Sequence, residues 1–498
     1  MIITRRDLMK KAAGAALAAG AGCAGLDVRR CLADKPASPA AVGARGANKL
    51  VLPTKGQIAW QDCEIGLIYH FDIAIAARYS VANNNTKKTF DPNVYQPAKL
   101  DTDQWIEAAK ACGARYAVFT ATHFGGFMQW QSDLYPYGLK QTTWRDGKGD
   151  VVGDFVASCR KAGIRPGIYF SVHRNVYQKV WGHYVNWGKG RGTEAQKKFN
   201  AIAEKQMEEL CSRYGPLVEI WFDAGTKTPA EGGPDMEPIF EKYQSNSVFY
   251  HSTQRADHRW IGNEAGYAGY PCWATMPRGK DGSVSHNSPH WRKHLSGGDN
   301  DGEVWSPAMV DVPLRANGAH DWCWMPNREK CCLSVEKLTK MYVESVGRNG
   351  NLILGAAVNP DGLVDEADIK RLGEFGRELK RRWGKSLAKV SGKGLLVELK
   401  LPAARKVDSV IIMEDIARGE RIQRYTLSGL VGGKWQKLAV GQSVGHKRIE
   451  QFPAVPLQAV RLTVNQCKAE PQIRMLAAYG PKPALATSGS RKYFCQSL

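Results

Sequence analysis

Val218-Glu219-Ile220-Trp221-Phe222-Asp223-Ala224-Gly225 is a short apolar run that ends in a carboxylate and a glycine. β-Branched and aromatic residues closed by a turn residue predict a buried strand. Such a strand delivers Asp223 to the carboxyl edge of its sheet, where barrels of alternating strands and helices carry their chemistry. Arg259-Trp260-Ile261-Gly262-Asn263-Glu264-Ala265-Gly266 reads the same way, as a second short strand ending in a carboxylate. Two acids on two strand ends are the minimum equipment for hydrolysing a glycosidic bond. Residue type alone also allows a plainer reading, in which Asp223 caps a turn and Glu264 pairs with an arginine.

Outward from these runs the chain alternates. Residues 65–71 (IGLIYHF), 115–123 (RYAVFTATH), 164–172 (IRPGIYFSV), 247–253 and 351–354 (NLIL) predict strands. Residues 101–112 and 150–162 carry apolar side chains at helical spacing, each opened by an aspartate and stopped by a glycine, Gly113 or Gly163. Further helices are expected over 194–214, 334–348 and 366–383, with a long irregular stretch rich in Gly, Ser and His after Glu264. Alternation over about 330 residues argues for an α/β fold, either a parallel barrel or a doubly wound sheet. Polar candidates at the ends of several separate strands favour the barrel. No GxGxxG follows the first strand and no GxxxxGK[ST] occurs, so nucleotide binding loses its main support. From residue 386 short strand-like runs separated by Gly, Lys and Pro turns predict a β-sandwich, whose simplest role is packing on the barrel. The expected organisation is a leader (1–33), a linker (34–50), a (β/α)8-like barrel (51–385), a C-terminal β-sandwich (386–482) and a tail (483–498).

The 498 residues exceed one core, and 43% hydrophobic content with 15 Trp and 18 Tyr is ample for two. A net charge of +21 reads first as a basic solvated surface, and it also suits an anionic partner such as a sulfated or uronic-acid glycan. No basic arm, zinc-finger spacing or RNA-binding motif accompanies it, so no nucleic acid is expected. Thr4-Arg5-Arg6-Asp7-Leu8-Met9-Lys10 precedes an Ala/Gly-rich run, the layout of a twin-arginine-type leader, which implies a periplasmic or extracellular protein. Gly20 stands where a lipoprotein box wants a larger aliphatic, which disfavours anchoring through Cys23. No stretch approaches the ~20 apolar residues of a membrane span. Twelve scattered cysteines without CxxC pairs make neither a disulfide scaffold nor a metal site.

Several motifs occur together in order. Leu67-Ile68-Tyr69-His70, the Phe90-Asp91-Pro92 to Trp105 stretch, and Ala121-Thr122-His123-Phe124-Gly125-Gly126-Phe127-Met128-Gln129-Trp130 come first. Gly167-Ile168-Tyr169-Phe170-Ser171, Trp221-Phe222-Asp223, Gly262-Asn263-Glu264 and Asn349-Gly350-Asn351-Leu352-Ile353-Leu354 follow. Together they resemble the α-L-fucosidases of glycoside hydrolase family 29, over residues 57 to 383. The stretches Glu414-Asp415-Ile416 and Gly419-Glu420-Arg421 resemble that family's accessory domain. The Asn-Glu form at Glu264 looks like the branch selective for α-1,3/1,4-linked fucose. The resemblance implies a retaining barrel hydrolase with no metal and no cofactor, acting on fucosylated or sulfated-fucose-type oligosaccharides or polysaccharides. It makes Asp223 the nucleophile and Glu264 the acid/base, and His70 and His123 sugar-binding donors. Trp130 and Trp322 are candidates for the sugar's apolar patch and methyl group. Arg259 and His173 complete the substrate-binding candidates.

The sequence also departs from the family. The usual His-His-Asp-Gly is His123-Phe124-Gly125-Gly126, Tyr-Tyr-Ser is Tyr169-Phe170-Ser171, and Pro-Ala-Glu is Pro307-Ala308-Met309. Each change removes a polar group from a place expected to read the sugar, and hydroxyl-reading sites discriminate strongly when such bonds change. A related glycone, an α-L-galactoside or a sulfated fucoside, is therefore an alternative. A non-catalytic glycan-binding relative is another, against which the retention of Asp223 and Glu264 argues.

Overall fold

The apolar runs become one eight-stranded sheet. The computed structural model describes residues 50–79, 87–284 and 288–482. The expected leader, all of the linker but Leu50, and the tail lie outside the described residues. The strands are β1 (Ile65–His70), β2 (Tyr116–Thr122), β3 (Arg165–Phe170), β4 (Glu219–Trp221), β5 (Val248–Tyr250), β6 (Arg259–Trp260), β7 (Ala308–Pro313) and β8 (Gly350–Ala357). Their hydrogen-bonded order is β5-β4-β3-β2-β1-β8-β7-β6, with every pairing parallel. The result is a (β/α)8-like barrel, nearly closed, with β5 and β6 at the seam. Every residue of β1, β2 and β8 is buried, as parallel strands covered on both faces require.

Alternate side chains separate into two cores. Ile68, Val118, Tyr169, Trp221, Tyr250, Met309 and Ile353 fill the barrel interior with Trp60, Tyr116 and Trp322. Their neighbours Leu67, Phe119, Phe170, Ile220, Phe222, Val310 and Leu354 pack under the surrounding helices. Those helices include α1 (Lys55–Gln61), α2 (Thr102–Ala111), α3 (Val151–Ala162), α4 (Glu194–Arg213), α5 (Glu237–Gln244), α6 (Val335–Glu344) and α7 (Glu366–Trp383). Asp101, Asp150, Thr193 and Ser334 each accept a hydrogen bond from the third backbone N–H of the helix they open. Each such cap stabilises its helix by ~1 kcal/mol.

The structure corrects the sequence reading in three places. β7 falls where an irregular stretch was expected, because Asp311 and Pro313 interrupt its apolar run; Asp311 accepts from the Trp260 indole at 2.9 Å. Helices α1 and α5 were not anticipated, being only 7 and 8 residues long. β6 ends at Trp260, so Glu264 stands on the loop beyond the strand rather than at its tip.

The C-terminal domain is a six-stranded antiparallel sheet: β9 (Ala388–Lys393), β10 (Leu396–Glu414), β11 (Ile422–Val431), β12 (Lys434–Gly441), β13 (Arg448–Cys467) and β14 (Gln472–Tyr479), ordered β9-β14-β10-β13-β11-β12. The long strands β10 and β13 pair with each other along three stretches separated by two register shifts. One half of β10 takes β14 as its second neighbour, and the opposite half of β13 takes β11. The continuous ladder thus folds over a single core containing Val397, Leu399, Val410, Ile412, Leu427, Leu462 and Leu476. Period 2 docks this domain as well: Val410 and Ile412 enter its own core, while Ile411 and Met413 join the barrel's outer core with Ile449 and Tyr479.

Polar groups finish the interface. Glu64, just before β1, lies 2.5 Å from Lys447 Nζ and 3.1 Å from His446 Nε2, and accepts from the Tyr342 hydroxyl. Burial opposes ionisation of Glu64, but Lys447 and His446 hold it well below the usual carboxylate range. Glu420 accepts from Ala274 N at 2.8 Å and from Asn349 and Ser443. Burial raises Glu414 to about 8, helped by the charge of Glu420, and raises Glu420 to about 7. Groups raised in the folded state stabilise it below their unfolded value and lose that contribution as pH rises through the folded one. Glu64 has the opposite sign, and its contribution is complete above the ordinary carboxyl value. Above pH ~7, where the buried histidines no longer differ in protonation between the folded and unfolded chain, the Glu414–Glu420 pair sets the slope, and Tm falls as pH rises toward 8. Thermal unfolding of Glu420→Gln across this range is expected to give a flatter profile than wild type; an unchanged slope would refute the assignment.

Candidate active site

β4 supplies the first acid by register. Glu219, Trp221 and Asp223 share the inward parity, so Glu219 lies deepest and Asp223 emerges at the carboxyl edge. The chain then turns through Ala224 (φ 60°) and Gly225 (φ 77°). A Cβ on Gly225 would approach the His251 ring to 2.5 Å, so both the φ and the space demand glycine. Tyr169, inward on β3, donates its hydroxyl to Asp223 Oδ2 at 3.2 Å. His183 Nε2 lies 3.0 Å from Gly225 O, and the His173 ring is 4.6 Å from that of His183. Burial pushes His183 down to about 4 and His251 to about 3, so both are neutral at physiological pH.

The second acid is held from the opposite side. Glu264 has a side chain 7% exposed; its Oε2 lies 2.6 Å from His320 Nε2 and accepts from Trp322 Nε1 at 2.9 Å. Trp322 in turn needs Gly355 on β8, where a Cβ would stand 2.5 Å from the indole. The Trp322 ring lies 5.5 Å from His70, which is 6.1 Å from Tyr169 and 5.4 Å from His123. Asp223, Tyr169, His70, Trp322 and Glu264 thus form one continuous wall of contacts at the barrel mouth. His123 Nδ1 is 3.8 Å from Asp72 Oδ2. Burial raises Asp72 to about 6 against the pull of the Ile75 and Ala74 amides.

Among the sequence-derived candidates, Asp223, Glu264, His70, His123 and Trp322 come together, with His173 at the edge beside His183. Two do not. Trp130 is fully buried in the barrel's outer core with its indole N–H on Glu209, which corrects its assignment to the sugar's apolar face. Arg259 faces away from the interior that its neighbour Trp260 lines. Its fully buried guanidinium is spent on Leu295 O, Ser306 O and Cys272 Sγ, so it is structural. The departures from the family pattern also separate. Phe170 packs outward on Phe222, and Met309 lies within the barrel's interior core. Phe124 stacks on the candidate His123 at 4.2 Å.

Tyr169, His320 and Asp72 were missed as contributors. Tyr169 was recoverable, since strand parity aligns it with Asp223. His320 carries no local signal, because it sits in irregular chain. Among the described residues no group of three or more His, Cys, Asp or Glu is placed to hold a metal ion.

The family model described as alpha-L-fucosidase matches residues 69–383. Alpha-L-fucosidase 1 of Arabidopsis thaliana is 28% identical over 480 residues, covering 87% of this chain and 88% of that protein. A Bacteroides thetaiotaomicron protein assigned as an α-L-fucosidase has a crystal structure that superposes with a TM-score of 0.82 at 43% identity, covering 87% of this chain and 100% of that one. A glycoside hydrolase 29 family member from a rumen bacterium superposes with a TM-score of 0.72 at 26% identity, covering 88% and 79%.

Trp322→Phe keeps the ring over Gly355 and deletes one donor to Glu264. A hydrogen bond contributes ~1 kcal/mol, so kcat/KM on an aryl α-L-fucoside should fall ~5-fold. Gly355→Ala, which displaces the same indole, should reproduce the loss. Wild-type kinetics in both variants would contradict the geometry.

Proposed function

Because the chain belongs to the α-L-fucosidase family, glycoside hydrolase family 29, we propose that it removes terminal α-L-fucosyl groups from glycans with retention, through a covalent intermediate on Asp223. It is a glycoside hydrolase by family. The observation that carries the mechanism is the continuous wall from Asp223 through Tyr169, His70 and Trp322 to Glu264.

In the first step the Asp223 carboxylate attacks the anomeric carbon, the glycosidic C–O bond breaks, and Glu264 gives its proton to the departing oxygen. The Tyr169 hydroxyl fixes the attacking carboxylate by donating to Oδ2. In the second step Glu264 takes a proton from water, the resulting hydroxide equivalent attacks the same carbon, and Asp223 leaves as carboxylate. Two inversions give net retention. His320 and Trp322 hold Glu264 in place for both proton transfers. His70 and His123 donate to ring hydroxyls, and the Trp322 ring meets the sugar's apolar face.

The outward position of Phe170 and the deep position of Met309 support fucose as the glycone, since neither side chain lies where a hydroxyl would be read. Phe124 favours the second reading, a related glycone such as an α-L-galactoside or a sulfated fucoside, because an apolar ring lies against His123. The Asn263-Glu264 pair supports preference for α-1,3/1,4 linkages, and Arg5-Arg6 supports export by a twin-arginine route.

A panel of aryl glycosides including the α-L-fucoside and α-L-galactoside tests the reading. The fucoside should be the better substrate, and Asp223→Ala should lose at least ~10³-fold in kcat. Full activity in Asp223→Ala would overturn the mechanism, and preference for the galactoside would select the second glycone.

A further inference from the structure

Beside the catalytic wall stands a hairpin that the mechanism does not use. Its strands, Arg174–Asn175 and Val180–Trp181, pair antiparallel directly after the β3 end. Lys179, His183, Asn186 and Trp187 all hold positive φ, from 51° to 79°, without being glycine. Each such residue costs of order 1 kcal/mol, and their clustering in one short loop marks a shape maintained for use. Several bonds pin that shape. Ser171 Oγ donates to Arg174 O, Trp187 N donates to Lys179 O, Tyr184 OH donates to Glu231 O, and His183 Nε2 lies on Gly225 O.

The hairpin carries a ladder of cations and rings that starts at the sugar-site histidine. Phe124 stacks on His123 at 4.2 Å, and the Arg174 guanidinium lies 4.7 Å from the Phe124 ring. The same guanidinium is 4.1 Å from Trp181. Lys87 Nζ lies 4.9 Å from Trp181 and 5.3 Å from Trp187. Two cations are therefore gathered on one indole, and among the described residues no carboxylate forms an ion pair with Lys87. Trp187 is 36% exposed, an unusual exposure for so large a ring. An indole face is a stacking platform for the apolar face of a pyranose, and paired cations beside it attract an anionic substituent.

We propose that this hairpin is a leaving-group subsite that binds an acidic sugar, with the pyranose on Trp187 and its carboxylate or sulfate between Lys87 and Arg174. The inference deepens the hydrolase reading and rests on it. It moves the anion suggested by the +21 charge from the cleaved sugar to the sugar it leaves behind.

The test compares three substrates: an aryl α-L-fucoside, a fucosylated N-acetylglucosamine, and the same disaccharide carrying a 6-sulfate. Wild type should show a KM at least ~10-fold lower for the sulfated disaccharide, a preference that shrinks as NaCl is raised. Lys87→Gln should abolish that preference while changing kcat/KM on the aryl fucoside less than ~2-fold, which also shows that this variant folds, whereas Trp187→Ala should raise KM for both disaccharides. Equal KM values for the two disaccharides in wild type would overturn the proposal, as would equal losses on all three substrates in the variants. If no fucoside is cleaved, the hydrolase reading fails separately. Calorimetric titration with N-acetylglucosamine 6-sulfate then decides the subsite: binding lost in Lys87→Gln supports it, and no binding to wild type refutes it.

Discussion

A parallel strand covered on both faces must send every second side chain into the barrel, and most of this structure follows from satisfying that constraint on β4. Its inward set is Glu219 and Trp221, and the same parity continues to Asp223 in the turn two residues past the strand's end. Of the two carboxylates, the deeper has no access to water and must be neutralised by the protein. Glu219 is fully buried against His258 Nε2 at 2.6 Å and accepts from the Trp60 indole. The imidazole is clasped between Trp60 and Tyr250, each 4.5 Å away and within 5° of parallel. With the lower carboxylate satisfied in this way, the upper one, Asp223, is presented at the barrel mouth by the turn that directly follows the strand.

The second acid follows a different rule. Glu264 comes from irregular chain beyond a strand of two residues, so register cannot aim it. Its direction is set instead by His320 and Trp322, and Trp322 is seated by the missing side chain at Gly355 on β8. One carboxylate is thus positioned by the sheet and the other by side chains leaning on the sheet. The C-terminal domain supports this frame from outside: Glu420 accepts from Ala274 and Asn349, which lie in and behind the segments that follow β6 and precede β8.

The sequence made the sheet-borne half legible and the loop-borne half less so. Runs such as IGLIYHF and NLIL read as buried strands because both faces of a parallel strand are apolar. The aspartates that open α2 and α3 read equally well, because the side chain that opens the helix is local to it. β7 escaped notice because its inward Asp311 is compensated by Trp260, a partner far along the chain. Trp130 and Arg259 carried the right chemistry for a sugar site but the wrong parity or depth, which residue type does not reveal. Likewise Phe170 looked like a lost sugar contact until its outward parity, opposite to that of Tyr169, was seen. His320 needed the three-dimensional return of an irregular segment and left no trace in spacing.

The mechanism rests on Asp223 as the nucleophile whose oxygen bonds to the anomeric carbon. Incubation with 2-deoxy-2-fluoro-L-fucosyl fluoride, followed by peptide mass mapping, tests this directly, because the 2-fluorine slows both oxocarbenium-like steps while the good fluoride leaving group keeps formation of the glycosyl-enzyme ahead of its breakdown. Stoichiometric inactivation is expected, with the fluorosugar ester on the peptide bearing Asp223. A label on Glu264 or another carboxylate, or steady turnover of fucosides with inversion and no labelled peptide, would contradict it.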